Sequence, residues 1–188
     1  MNSLKVNVCG HSRRDFLLTT AAIGAGLALG SNTRRAAAAP TTSIVDRRVI
    51  SHTPDLYCGW PTLTRRSDGE LLLVFSGGRE RHVCPFGRVD FMRSGDNGET
   101  WSWPRTLLDG PIDDRDAGVF ETAKGSILVT TFTSLAYESR LHEERAKKES
   151  GAEDAWSDEH LERWLAVERR ISPEQRRAEL GQWMIRST

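Results

Sequence analysis

Ser94-Gly95-Asp96-Asn97-Gly98-Glu99-Thr100-Trp101 reads Ser-x-Asp-x-Gly-x-Thr-Trp between two stretches with the alternation of β-strands. Asp96 is placed to accept hydrogen bonds from backbone amides further along the loop, Gly98 to take the left-handed conformation of a tight reversal, and Thr100 to close the loop from the other side. Trp101 then anchors the turn on its hydrophobic side. Before the turn, Arg88-Val89-Asp90-Phe91-Met92-Arg93 alternates as one strand, and Trp103 to Leu108 follows it as another. Further upstream, Trp60-Pro61-Thr62-Leu63-Thr64 reads as a strand and Ser67-Asp68-Gly69-Glu70 as a hairpin turn. Leu71-Leu72-Leu73-Val74-Phe75 reads as a buried strand bounded by Ser76-Gly77-Gly78. A polar link from Arg79 to Gly87 joins the two pairs. The segment before them, Ser43 to His52, is polar with a Val/Ile alternation and reads as an edge strand or surface arm.

The pattern then restarts. Ala117 to Thr130 matches the first strand pair when Gly69 is laid on Gly125, a period of 56 residues, and Trp183-Met184-Ile185-Arg186-Ser187 matches the third strand running into Ser94. Radial repetition of four-stranded sheets, at roughly 40–50 residues per blade, is the propeller architecture. Gly69 lies 24 residues before Arg93 whereas Gly125 lies 61 before Arg186, so 37 residues are inserted between the second and third strands of the second blade. The charged segment 138–180 supplies them. Leu161, Trp164 and Leu165 fall on one helical face, and Ser172-Pro173-Glu174-Gln175 combines an N-cap, a first-turn proline and a capping-box glutamine. Two readings of this insertion stay open: a helical excursion packed on the rim, or a wall for a substrate cleft. The fold expected is all-β: about one and a half blades of a propeller with a helical insertion, the first blade over 56–110 and the start of a second over 111–188. A propeller closes with about four or more blades, so the chain reads as the N-terminal part of a longer protein.

The turn at Ser94, Asp96, Gly98, Thr100 and Trp101 resembles the Asp-box of the sialidase (neuraminidase) family, where it joins the third and fourth strands of a blade. The resemblance extends over Tyr57 to about Leu135 and the last eight residues. It implies a six-bladed propeller acting on terminal sialic acids of glycoconjugates without a cofactor, with the box structural and away from the catalytic face. In that family three arginines bind the substrate carboxylate, a Tyr paired with a Glu is the nucleophile and an Asp is the acid/base, outside the two-carboxylate scheme. Planar guanidinium forks pair bidentately with a carboxylate, which is why the site uses arginines.

The match is partial. Gly59-Trp60-Pro61 stands where the family has its first arginine, in an Arg-Ile-Pro motif. Arg79 in Ser76-Gly77-Gly78-Arg79-Glu80 matches the second, with a salt bridge to Glu80 or Asp116 as its structural alternative. The acid/base aspartate is absent from His82-Val83-Cys84-Pro85-Phe86, where His82 is the titratable substitute. The nucleophile pair and third arginine belong to later blades, so this chain alone is not expected to hydrolyse glycosides. Asp113-Asp114-Arg115-Asp116 precedes the innermost strand of the second blade, and Asp114, Arg115 and Asp116 are candidate substrate contacts or a solvated turn. Trp60 and Tyr57 offer sugar-stacking faces or packing between blades. Cys58 and Cys84 are compatible with a disulfide, with two free thiols or, beside His82, with a metal site; the expected ligand set contains no metal.

The numbered start has a different character. Ser12-Arg13-Arg14-Asp15-Phe16-Leu17-Leu18, an apolar stretch from Leu17 to Leu29, and Ala36-Ala37-Ala38-Ala39-Pro40 together resemble a twin-arginine export signal cleaved near Ala38 or Ala39. Its apolar stretch is too short for a stable membrane anchor. The expected partners are therefore the twin-arginine export machinery and then a glycan or glycoconjugate, with the mature protein periplasmic or extracellular. Residues 1–39 carry Lys5, Arg13, Arg14, Arg34, Arg35 and Asp15 of a balanced 26 basic and 26 acidic side chains, so the remainder has a net charge of about −4. That balance excludes the basic stripe of a nucleic-acid binder and a polybasic membrane anchor.

Overall fold

The computed structural model describes residues 43–51 and 53–187, and the export signal expected over 1–39 lies outside them. Residues 46–51 run as an irregular arm without strand pairing, and the Arg48 guanidinium donates to the Glu99 carbonyl at 3.1 Å.

Strands β1 (Tyr57–Arg65), β2 (Leu71–Arg79), β3 (Arg88–Ser94) and β4 (Arg105–Leu108) form one antiparallel sheet in sequence order. The β1–β2 hairpin turns on Gly69 at φ 93°, a conformation that a Cβ would strain, and the Arg66 amide donates to the Glu70 carbonyl across it. The Ser94–Trp101 turn is tied from within. Thr100 donates to Asp96 through its amide at 2.9 Å and its hydroxyl at 2.5 Å, Ser94 Oγ donates to Asp96 at 2.8 Å, and Gly98 has φ 91°. These bonds to the charged form hold the Asp96 carboxyl down to about 2. Trp101 packs against the cluster of Leu73, Phe75 and Met92.

A second antiparallel sheet holds β5 (Asp113–Glu121), β6 (Ile127–Ser134) and β7 (Gln182–Arg186), in that order. Its first hairpin copies the earlier one 56 residues on: Gly125 has φ 81° and the Thr122 amide donates to the Ser126 carbonyl. Between β6 and β7 the chain forms α1 (Tyr137–Ser150), α2 (Asp158–Glu168) and α3 (Pro173–Ala178). Ser172 and Gln175 complete both halves of the capping box that opens α3.

Leu72, Val74 and Val89 of the first sheet pack on Ala117, Val119 and Val129 of the second. A separate cluster of Ile112, Tyr137, Leu141, Leu161, Trp164 and Cys84 joins the helices to the 79–87 link. The described residues are thus mostly β, in two antiparallel sheets with three helices, and they close neither a barrel nor a propeller ring by themselves.

Three sequence expectations shift. β2 does not stop at Ser76-Gly77-Gly78 but runs through them to Arg79. Gly77 is needed because a Cβ there would sit 2.0 Å from Asp90 Oδ2, so it marks a close approach and not a strand end. β4 begins at Arg105 instead of Trp103, since Pro104 has no N–H to give the ladder and Trp103 stands in solvent. β5 begins at Asp113, so the four charges lie inside the strand and do not form a turn ahead of it.

Candidate functional site

The pairing of Tyr57 with Arg79, and of Leu71 with Ser94, puts the start of β1 and the end of β2 at one edge of the first sheet and the Ser94–Trp101 turn at the other. Nine residues of β2 separate the two edges by roughly 26 Å at about 3.3 Å per residue. Asp113, the first residue of β5, meets Arg79, so the candidate residues of both sheets gather at one end.

Three register shifts shape that end, the first where β1 advances two residues from Tyr57 to Gly59 while β2 goes three, from Arg79 to Ser76. From Gly59 to Thr62 β1 advances three residues while β2 goes from Ser76 to Val74, and from Arg115 to Gly118 β5 advances three while β6 goes from Phe132 to Thr130. At these last two shifts the strand therefore carries one extra residue as a bulge, and each bulge holds a side-chain-bearing residue at positive φ: Trp60 at 52° and Asp116 at 48°. Trp60 and Asp116 stand 56 residues apart, the period of the repeat. The bulges also cross-link the sheets, because Thr62 Oγ1 donates to the Ala117 carbonyl at 2.8 Å and the Asp116 amide donates to Ser76 Oγ at 2.9 Å. Left-handed backbone at two bulky or charged residues is a strained arrangement of the kind that collects at functional sites.

Arg79 is fully buried and its fork closes on Asp113, Nη1 to Oδ1 at 2.6 Å and Nη2 to Oδ2 at 2.9 Å. Its remaining hydrogen bonds go to the carbonyls of Asp114, at 3.3 Å, and His82, at 3.0 Å. The ion-pair partner of Arg79 is thus Asp113, not Glu80 or Asp116. Gly87 leaves room for the pair: a Cβ there would lie 2.0 Å from Asp113 Oδ1 and 2.1 Å from Arg79 Nη1. Burial pushes the Asp113 carboxyl above its ordinary value while the Arg79 fork pulls it down.

The rest of the quartet stays buried until its last residue. Asp114 is buried and accepts from the Gly110 amide at 2.6 Å, with its other oxygen unpartnered. Burial raises this carboxyl to about 6, against the pull of that amide and with help from Asp109, Asp113 and Glu179. Arg115 lies under the Trp60 ring at 5.1 Å and near Phe132 at 5.9 Å. Asp116 is exposed on its bulge and makes no ion pair with Arg79.

Trp60 is half-buried and taken up by internal contacts: the guanidinium carbons of Arg79 and Arg115 at 5.3 and 5.1 Å, the edge of Tyr57 at 5.7 Å and the ring of His82 at 4.9 Å. Exposed Tyr57 and His82 flank it, and Tyr57 borders an open hollow of about 440 Å³ that reaches Cys58 and Glu80. Cys58 and Cys84 are free thiols in different apolar clusters and form no disulfide.

Glu80, one residue beyond Arg79, fastens the helices to this end. It accepts from the Trp164 indole at 3.0 Å and forms an ion pair with Arg163 at 2.6 Å, while Arg81 stacks over Trp156 and Trp164 at 5.0 and 5.8 Å. α2 is therefore fastened to the residue that follows Arg79. Sequence reasoning missed Asp113 as the partner of Arg79 and Glu80 as the anchor of α2. The 56-residue period was the signal for the bulges, since it lays Trp60 on Asp116, but nothing in the sequence pairs residues 34 apart such as Arg79 and Asp113.

No family model matches this chain, and no curated protein does. Among solved structures, one similar chain is a protein of unknown function from Dyadobacter fermentans DSM 18053, at TM-score 0.47 and 17% identity, covering 74% of this chain and 35% of that one. Another is a point mutant of NanB sialidase from Streptococcus pneumoniae, at TM-score 0.40 and 18% identity, covering 45% of this chain and 18% of that one. The chain thus spans about a third or less of the length of either. The likeness to a sialidase is weak and structural only.

Proposed function

We propose that this chain is the opening part of a sialidase-like propeller, exported by the twin-arginine route to the periplasm or beyond, that acts on terminal sialic acid or a related sugar of glycoconjugates. The observation that carries the reading is the gathering of Tyr57, Trp60, Arg79, His82 and Asp113–Asp116 at one strand edge, opposite the internally bonded Ser94–Trp101 turn. The Asp-box resemblance of that turn supports it, as do the sequence matches around Arg79. In this reading the described residues supply recognition, and the nucleophile pair comes from later blades.

A second reading, a non-catalytic propeller that binds glycans or an exported protein, is favoured by one specific observation. Both terminal nitrogens of Arg79 are spent on Asp113, so the arginine that matches the family is not free to receive a substrate carboxylate. Incubating the protein bearing all its blades with a fluorogenic sialoside, and separately with immobilised sialylated glycans, tests both readings. Fluorophore release is expected under the first reading and retention without release under the second. The absence of both release and retention overturns both readings.

A further inference from the structure

Among the described residues, Arg115 is a nearly buried cation of the site whose side chain has no hydrogen-bond acceptor. A guanidinium carries five N–H groups and is charged at every physiological pH, so burying it calls for acceptors. Arg115 is 7% exposed, yet among the described residues its side chain makes no hydrogen bond. Its Nε is enclosed and unpartnered. The nearest carboxylate oxygen, Asp113 Oδ2, stands 3.8 Å from Nη1, beyond hydrogen-bond reach, and is already taken by Arg79 Nη2 at 2.9 Å.

What holds Arg115 is aromatic. Trp60 and Phe132 contact its guanidinium at 5.1 and 5.9 Å, an attraction to ring faces that fixes the plane and leaves the N–H edge open. The backbone is fixed as well: Thr131 Oγ1 donates to the Arg115 carbonyl at 2.6 Å, and the next residue is the strained bulge at Asp116. A guanidinium whose plane is held between two rings and whose terminal nitrogens have no hydrogen-bond acceptor among the described residues is preorganised for a planar acceptor, and a carboxylate matches it with two parallel bonds.

We infer that Arg115 is a carboxylate-binding residue, and that it receives the acid group of a sugar ligand at the edge formed by β1 and β5. This deepens the glycan reading proposed above, since it moves acid recognition away from Arg79, whose fork Asp113 closes. Arg115, at the start of β5, occupies neither of the arginine positions that the family resemblance assigns to this part of the chain.

The test is equilibrium binding by calorimetry on the full chain, with N-acetylneuraminate, D-glucuronate, the methyl ester of each, and acetate. At least one sugar acid is expected to bind tenfold or more tighter than its uncharged ester. That preference is expected to disappear in Arg115→Met and to fall about tenfold in Arg115→Lys, which keeps the charge but not the fork. The melting temperature of Arg115→Met is expected to hold or rise, because an unsatisfied buried charge is removed; if that variant does not fold, Arg115→Lys carries the comparison. Acid and ester binding alike, or a preference that survives in both variants, overturns the assignment while leaving glycan binding in place. Acetate binding that depends on Arg115, with no sugar bound, upholds Arg115 as a carboxylate-binding residue and overturns both its role in holding a sugar acid and the glycan reading. No binding of any probe overturns both.

Discussion

Replacing Asp113 with Ala strips the counter-charge from an arginine that has no route to water. Both side chains of the pair are fully buried, and without Asp113 the Arg79 fork keeps only the carbonyls of Asp114, at 3.3 Å, and His82, at 3.0 Å. Removing one partner of a buried ion pair costs about 3–5 kcal/mol, because the other charge stays desolvated. Against the roughly 5–15 kcal/mol that holds a domain folded, that is a large share. At about 2–4 °C per kcal/mol for a chain of this size, the melting temperature should fall by about 6–20 °C. Urea unfolding followed by both far-ultraviolet circular dichroism and tryptophan fluorescence measures the loss, and coincident transitions license a two-state reading. The double variant Arg79→Met/Asp113→Leu, which removes both charges and fills the space, should recover most of the stability, so the cycle should show strong coupling. A loss below about 1 kcal/mol in Asp113→Ala, or a double variant no more stable than the single one, would show that the pair is not the buried unit described here.

Two further outcomes follow from the same end of the sheets. Gly87→Ala places a methyl group 2.0 Å from Asp113 Oδ1, 2.1 Å from Arg79 Nη1 and 2.7 Å from the Asp114 carbonyl. It should therefore destabilise by about 1–3 kcal/mol or more through overpacking, and thermal melts read the loss directly. Asp114 makes the pH dependence unusual: its folded carboxyl, raised to about 6 from an ordinary 3.8, holds its proton where the unfolded chain has lost it. The stability tied to it is fully present below pH 3.8 and is lost as pH rises through 6, an effect of up to about 3 kcal/mol at 1.36 kcal/mol per unit. Subtracting the stability–pH curve of Asp114→Asn from that of the parent should leave this fall between pH 4 and 6; a flat difference would refute it.

The sequence by itself determined the local elements and their repetition. Hydrophobic alternation, Gly69 and Gly125 at the hairpins, the Ser94–Trp101 turn and the Ser172–Gln175 cap are all short-range chemistry, written in neighbouring residues and realised as hydrogen bonds between them. The order of strands and the place of α1–α3 between β6 and β7 follow from the same local signals. Only the tertiary structure decided which charges meet. Asp113 reaches Arg79 because two sheets stack through Leu72, Val74, Ala117 and Val119, and because one extra residue in each of β1 and β5 turns Trp60 and Asp116 into left-handed backbone. Gly77 and Gly87, which read locally as breaks, are fixed by the side chains that crowd them from other strands, Asp90 in one case and Asp113 with Arg79 in the other. Burial then set the state of each charge. Four consecutive ionisable residues became a closed ion pair, a carboxyl raised toward neutrality, an unsatisfied guanidinium and a solvated aspartate, because desolvation depends on what lies across the sheet and not on what lies next in the chain.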